Sequence, residues 1–298
     1  MVPVLLFVVY AALVNDVRAL IANNNLAGAE ALARSYQAKS GPTSEVAAAV
    51  SWLARASLAA KQYDKAERLA TEAITLSEPL LKTRKLDADP WLPTAVGASI
   101  EVRGQVMAAR GDRADAVAFL NGELARYRTT SIGERISKNI NLISLEGKRA
   151  PALDVADFLG PKPLPLSAMR GKPVLLFFWA HWCGDCKQLG PILASLQKTY
   201  GPQGLEVVMP TRLYGYVAGG EDAAPAAEKP YVEKIRKQFY AALSQNPAPL
   251  SSANFLTYGA STTPTVVLVD ASGIVRYYHP GAPSESELST RIRQLLVK

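Results

Sequence analysis

The feature that most constrains this 298-residue chain is a pair of cysteines at the end of a long apolar run. Residues 174–182, VLLFFWAHW, are apolar except for His181, which predicts a β-strand buried on both faces. The run ends in Cys183-Gly-Asp-Cys186, which holds both cysteines of the chain, and a stretch with helical periodicity follows. The sequence therefore predicts a Cys-x-x-Cys motif at the junction of a strand and a helix.

This position of the motif predicts its chemistry. The N–H groups and the dipole at the helix N-terminus would stabilise a thiolate at Cys183. Cys186, one turn into the helix, would lie within bonding reach of Cys183 and be partly shielded. We therefore expect thiol–disulfide exchange in which Cys183 attacks a substrate disulfide and Cys186 resolves the mixed disulfide.

A metal half-site is the alternative interpretation of the two cysteines. The only histidines, His181 and His279, would complete a Cys2His2 set on paper, but they do not form a second pair with zinc-ligand spacing. We expect His279 to be a surface turn residue before Pro280. Redox chemistry is favoured, with no metal ion and no cofactor.

The rest of the C-terminal half alternates between strand and helix patterns. The tract 219–228, GGEDAAPAAE, looks flexible, and the longer segment 211–258 is expected to form a wall that faces the substrate. Further strands are predicted at 205–209, 265–269 and 274–278, and helices near 231–243 and at 285–297.

Two groups of residues carry a resemblance to known proteins. Residues 178–187 (FWAHWCGDCK), Pro191 and residues 262–265 (TTPT) resemble thioredoxin. Residues 166–179 and 264–274 resemble more narrowly the TlpA-like thiol–disulfide oxidoreductases of bacterial envelopes. The resemblance covers roughly residues 148–298 and implies an α/β thioredoxin-like domain.

The resemblance also implies parts of a site and its partners. In the family, the proline of the last motif is cis and lies beside the disulfide, which implies a cis bond between Thr263 and Pro264. We interpret Trp182 as the exposed aromatic residue that covers the disulfide, and a position in the core better suits Trp179. Protein disulfides are the implied substrates, and an upstream dithiol is the implied electron donor. The expected catalytic residues are Cys183, Cys186, Asp185, Trp182, Pro264 and Thr263.

The chain departs from the family at its usual carboxylates. Phe177 stands where thioredoxin has a buried Asp, and Leu189 stands where envelope relatives often have a Glu. Asp185 is the only acid inside the motif, so we expect it to accept the proton of the resolving thiol. Its charge also opposes the Cys183 thiolate, which predicts a reductant more than an oxidant.

The first half has the pattern of helical hairpins. Three stretches align with one another, at 24–33, 61–70 and 111–120, and each places an alanine five residues after a turn residue. This resembles the tetratricopeptide repeat, a helix–turn–helix unit of 34 residues, although the spacings here are 37 and 50 residues. The predicted all-α helical-hairpin, tetratricopeptide-like domain would bind a protein partner, mediate self-association, or cap the second domain.

The apolar N-terminal segment bears on the cellular location of the protein. Residues 2–14 are apolar, but they are too few for the ~18 residues of a membrane span, and neither Lys nor Arg precedes them. They are a candidate signal or anchor remnant, or a packed first helix with Leu5, Val9, Leu13 and Val17 on one face. An envelope, periplasmic or secreted location is favoured over a cytoplasmic one.

The net charge of +7 is spread along the chain, so no nucleic-acid partner is expected.

Two domains are expected, a helical repeat domain at 1–146 and a thioredoxin-like domain at 147–298. The proline-rich stretch 147–173 marks the change. The favoured function is a protein disulfide oxidoreductase. The alternative is a helical-repeat adaptor or scaffold whose thioredoxin-like domain is redox-inactive or redox-sensing.

Overall fold

The computed structural model describes residues 13–296. The chain divides into two compact units, one ending at Ile136 and the other beginning at Ser137. This division lies ten residues before the expected boundary. Residues 1–12, on which the signal or anchor hypothesis rests, lie outside the described residues. No helix within residues 13–296 combines the length and the apolar character that a bilayer crossing requires.

The first unit is built from helices, as predicted. A short 3-10 turn, Leu86–Ala88, lies in its longest connection. The helices are α1 (Leu13–Ala22), α2 (Leu26–Ser40), α3 (Ser44–Ala59), α4 (Tyr63–Leu81), α5 (Leu92–Ala109), α6 (Arg113–Tyr127) and α7 (Gly133–Ser144), of which the last crosses the unit boundary.

Three equivalent turns organise six of these helices into hairpins. The pairs α1/α2, α3/α4 and α5/α6 are each joined by three residues. The middle residue of each connection, Asn24, Lys61 or Gly111, has a positive φ, of 57°, 57° and 103° respectively. Because a left-handed residue reverses the chain tightly, the two helices of each pair run back along each other. The prediction of helical hairpins is confirmed.

The aligned small residues lie inside these hairpins. Ala29, Ala66 and Ala116 are completely buried. The residues one turn later, Ala33, Ala70 and Leu120, are completely buried as well. Small side chains at these positions let paired helices approach closely, which is why the repeat is visible in the sequence.

The second unit is an α/β fold, also as predicted. Its elements are β1 (Phe158–Leu159), β2 (Val174–Phe178), α8 (Gly184–Tyr200), β3 (Glu206–Val208), α9 (Pro225–Phe239), β4 (Ala248–Pro249), α10 (Ser252–Tyr258), β5 (Thr265–Val269), β6 (Val275–Pro280) and α11 (Glu285–Leu296). The main sheet has the order β3-β2-β5-β6, in which β2 runs parallel to β3 and antiparallel to β5, and β5 is antiparallel to β6. A two-stranded antiparallel sheet pairs β1 with β4.

Both faces of the central strands are covered. All five residues of β2 and all five of β5 are buried. Alternate β2 residues belong to two separate apolar clusters, with Phe177 in the cluster that contains α8 and Phe178 in the one that contains α10. The pairing of Phe178 with Thr265 puts the end of β2 and the start of β5 at the same edge of the sheet.

The segment before β1 explains why the unit boundary lies earlier than expected. Asn141 Nδ2, on the second half of α7, donates to the carbonyl of Thr257 at 3.1 Å. The buried side chain of Leu145 joins the cluster around β2 and α10. Gly259 has a φ of +61°, and a Cβ there would lie 2.2 Å from the backbone nitrogen of Lys138. The end of α7 is therefore part of the second unit.

Some element bounds differ from the sequence-based expectations. Strand β2 ends at Phe178, so His181 follows the strand in a turn. The expectation that His279 is a turn residue is wrong, because His279 lies in β6, pairs with Val266 and stacks on Tyr277 with ring centroids 5.5 Å apart. Helix α9 begins at Pro225, inside the tract that looked flexible, because proline is well suited to the first position of a helix.

Candidate active site

Cys183 and Cys186 are joined by a disulfide, with their Cα atoms 5.3 Å apart. Cys183 is the N-cap residue of α8, and its Sγ accepts the backbone N–H of Cys186 at 3.0 Å. Cys186 is completely buried, whereas Cys183 keeps 3% of its surface exposed. Cys183 is thus the member of the pair at the helix N-terminus, the position that favours a reactive thiolate.

The other predicted residues of the motif lie at the surface. Asp185 is exposed in the first turn of α8. Trp182 is 50% exposed, and its ring meets that of Tyr214 edge to face at a centroid distance of 5.6 Å. Trp179, by contrast, is completely buried and donates from Nε1 to the carbonyl of Met209 at 3.0 Å. The expected division between one exposed and one core tryptophan is confirmed.

Thr263 and Pro264 lie immediately before β5. The peptide bond between them is cis, as the resemblance implied. Pro264 is buried, and Thr263 is half-buried. Since β5 pairs with β2, these two residues lie at the sheet edge from which the chain continues into the Cys-x-x-Cys motif.

The positions that usually carry a carboxylate are part of the apolar core. Phe177 is completely buried and packs edge to face on Tyr240 at a centroid distance of 5.8 Å. Leu189 is 2% exposed and belongs to the same cluster as the two cysteines. Neither position supplies an acid to the site.

A buried carboxylate does occur next to the motif, and sequence reasoning missed it. Glu228, in the first turn of α9, is completely buried. Its two carboxylate oxygens accept the backbone N–H groups of Tyr214 at 2.6 Å and Gly215 at 2.8 Å. Nε2 of His181 lies 3.4 Å from Oε1 of Glu228. No signal in the sequence pointed to this pair, because 47 residues separate its members and an acid in the first turn of a helix is commonplace.

The imidazole of His181 is enclosed by aromatic side chains. Only 2% of the residue is exposed. The rings of Tyr214, Tyr216 and Tyr231 meet it edge to face, at centroid distances of 5.5, 5.2 and 5.4 Å. Burial lowers the pKa of His181 below its ordinary value; the negative charge of Glu228 opposes this effect and the positive charge of Lys187 adds to it.

The second unit resembles known proteins. The family profile of the thioredoxin-like domain matches residues 166–296. Thiol-disulfide oxidoreductase ResA of Bacillus thuringiensis (strain Al Hakam) is 28% identical over 149 residues, which cover 50% of this chain and 78% of that protein. Protein DipZ of Mycobacterium bovis is 30% identical over 138 residues, or 46% of this chain and 18% of that protein. A structure solved as a thiol:disulfide interchange protein DsbE from Chlorobium tepidum is 26% identical, with a TM-score of 0.40, and covers 51% of this chain and 98% of its own.

Residues 166–296 are therefore a thioredoxin-like domain, and they contain the disulfide, α8 and the Thr263–Pro264 bond. The prediction of a thioredoxin-like disulfide oxidoreductase is confirmed at the level of enzyme class. The helical unit lies outside the matched region.

Proposed function

We propose that this chain is a thiol–disulfide oxidoreductase of the cell envelope that reduces protein disulfides. The observation that carries the proposal is the disulfide between Cys183 and Cys186, whose first member caps α8 within a thioredoxin-like domain. The location follows from the resemblance to envelope oxidoreductases and from the apolar N-terminal segment.

The reaction would proceed in two exchanges. In the reduced protein, the Cys183 thiolate attacks one sulfur of a substrate disulfide, and the other substrate sulfur leaves as a thiolate. Cys186 then gives up its proton and attacks Sγ of Cys183, which breaks the mixed disulfide and releases the substrate as a dithiol. An upstream dithiol reduces the Cys183–Cys186 disulfide and is itself oxidised. Each cycle transfers two electrons from that donor to the substrate.

The surface next to the disulfide has features that suit a peptide substrate. Trp182 offers a half-exposed aromatic ring, and Thr263 and Pro264 lie at the sheet edge beside the motif. We propose that an extended substrate segment docks between them, since backbone pairing and an aromatic contact recognise a peptide with little dependence on its sequence. Segment 211–258, which reaches Trp182 through Tyr214, would form one wall of this site.

The helical unit is assigned a binding role. Its three hairpins with equivalent turns suit a tetratricopeptide-like array, and such arrays bind protein partners or further copies of themselves. If the thioredoxin-like domain were redox-inactive or served only as a sensor, the chain would act instead as an adaptor through these hairpins.

Reduction of insulin disulfides in the presence of dithiothreitol separates the two functions. An oxidoreductase accelerates insulin precipitation well above the rate with dithiothreitol alone, and Cys183→Ser abolishes the acceleration. The Cys183→Ser protein should keep its circular dichroism spectrum, which makes it a folded control. An unaccelerated rate with the unmodified, folded protein would favour the adaptor.

A further inference from the structure

We infer that His181 and Glu228 form a redox-linked proton site, in which His181 binds a proton when the Cys183–Cys186 disulfide is reduced and releases it on oxidation. The inference rests on the proposed function, because it requires a disulfide that cycles. The role it assigns to His181 and Glu228 is to balance the negative charge of the Cys183 thiolate with a proton on His181.

The first argument is the rigid link between His181 and the attacking cysteine. His181 lies two residues before Cys183, and the backbone N–H of Cys183 donates to the carbonyl of Ala180 at 3.1 Å. This bond closes the turn that contains His181. A charge on Cys183 therefore arises two residues along the chain from His181, at a backbone position that this hydrogen bond holds relative to the turn.

The second argument is the state of Glu228. Two backbone N–H groups, of Tyr214 and Gly215, donate to its two carboxylate oxygens and hold the carboxylate in place. The carboxylate is completely buried, and Nε2 of His181 lies within ion-pair distance of it. A negative charge buried beside an imidazole raises the affinity of that imidazole for a proton.

The surroundings decide when the proton binds. Tyr214 and Tyr216 from the loop after β3, and Tyr231 from α9, exclude water from the ring. The positive charges nearby are Lys187 on α8 and Arg212, whose guanidinium lies over the ring of Tyr214 at 4.8 Å. Burial and Lys187 favour neutral His181 while the cysteines form an uncharged disulfide. A thiolate at Cys183 adds the negative charge that shifts this balance towards imidazolium.

Both protons that accompany reduction of the disulfide then have a binding site within the domain. A dithiol donor supplies two electrons and two protons as it becomes a disulfide. The S–S bond between Cys183 and Cys186 breaks, one proton stays on Cys186 as a thiol, and the other binds His181. Cys183 is left as a thiolate. On reoxidation by substrate, the two protons leave with the two substrate sulfurs.

Nuclear magnetic resonance of the full chain tests this inference directly, because the chain has two histidines. The imidazole signals of His181 and His279 are followed through a pH titration of the oxidised and of the reduced protein. We expect reduction to raise the proton affinity of His181 about threefold or more. We expect no such change at His279, which stacks on Tyr277 in β6. An equal titration of His181 in both redox states would overturn the inference.

Matched variants give a second measurement. His181→Asn should slow alkylation of the Cys183 thiolate at neutral pH about threefold, because it removes the compensating positive charge. Glu228→Gln should slow it as well, because the carboxylate that favours protonated His181 is lost. His279→Asn and Glu233→Gln, the second of which alters another paired carboxylate on α9, should leave the rate unchanged. Unchanged alkylation in folded His181→Asn protein would contradict the inference. Insulin reduction by the unmodified protein tests the proposed function separately, so failure of one does not imply failure of the other.

Discussion

At the scale of single residues, Cys183 and Cys186 are chemically different although they share one disulfide. Cys183 caps α8 and keeps a small exposed surface, whereas Cys186 lies inside the first turn and is completely buried. The helix N-terminus acts on the capping sulfur, and burial disfavours a thiolate at the other. The attack should therefore begin at Cys183.

Single substitutions test this assignment. We expect Cys186→Ser to accumulate stable mixed disulfides with substrate proteins, because the resolving thiol is missing, and Cys183→Ser to accumulate at least tenfold fewer. Non-reducing gels and mass spectrometry of trapped complexes provide the measurement. Equal trapping by the two variants would show that either cysteine can attack.

Asp185 belongs to the same scale. Its exposed carboxylate lies between the two cysteines in the sequence and opposes a thiolate at Cys183 by on the order of 1 kcal/mol or less, since solvent screens the interaction. Destabilising the thiolate destabilises the reduced form. Asp185→Asn should therefore lower the pKa of the Cys183 thiol and raise the reduction potential by up to roughly 20 mV.

Thiolate absorbance during a pH titration and equilibration with glutathione measure these two effects. The exposed Glu221→Gln, outside the motif, serves as the control for a general loss of negative charge. A potential of the unmodified protein in the range of strong oxidants would contradict the proposed direction of electron flow.

At the scale of elements, the hairpins of the first unit depend on small residues at the contact between paired helices. Ala70 in α4 is completely buried in the core of this unit. Ala70→Leu should overpack the hairpin and lower the free energy of unfolding by about 1–3 kcal/mol. Ala59→Leu, at an exposed position near the end of α3, should change it by less than about 0.5 kcal/mol. Urea titrations followed by helical circular dichroism would compare the two, and equal effects would contradict this packing.

At the scale of the whole molecule, the second unit begins within α7 and not at the proline-rich stretch. Residues of this segment pair with the sheet: Gly147 donates its N–H to the carbonyl of Val275 at 2.8 Å, and Glu146 accepts the N–H of Tyr278 at 3.0 Å. Leu145 is buried against the same unit. The structural unit is therefore longer at its N-terminal end than composition suggested.

Two fragments test this boundary. A fragment of residues 133–298, which keeps all of α7, should fold and reduce insulin at nearly the full rate. A fragment of residues 147–298 loses the Leu145 and Asn141 contacts, and we expect it to be less stable by about 3 kcal/mol or more. Thermal melts of the two fragments provide the comparison. Equal stability would show that α7 is dispensable for the second unit.

Local patterns in the sequence were enough to predict much of this protein. The continuous apolar run predicted the central strand, the Cys-x-x-Cys spacing predicted the disulfide at a helix start, and the recurring alanines predicted the hairpins. Each of these features depends on residues close to one another in the chain. Hydrophobic periodicity, helix capping and turn formation each depend on a few neighbouring residues, so they can be predicted from the sequence without a structure.

The tertiary structure alone decided where distant residues meet. Glu228 and His181 form a pair because α9 folds back over the turn before Cys183, and His279 belongs to a strand because β6 extends along β5. The first unit ends within α7 because Leu145, just after this helix, packs against apolar residues of the main sheet and of α10 in the second unit. Such contacts depend on the packing of whole elements, and the energy that selects them is spread over many side chains.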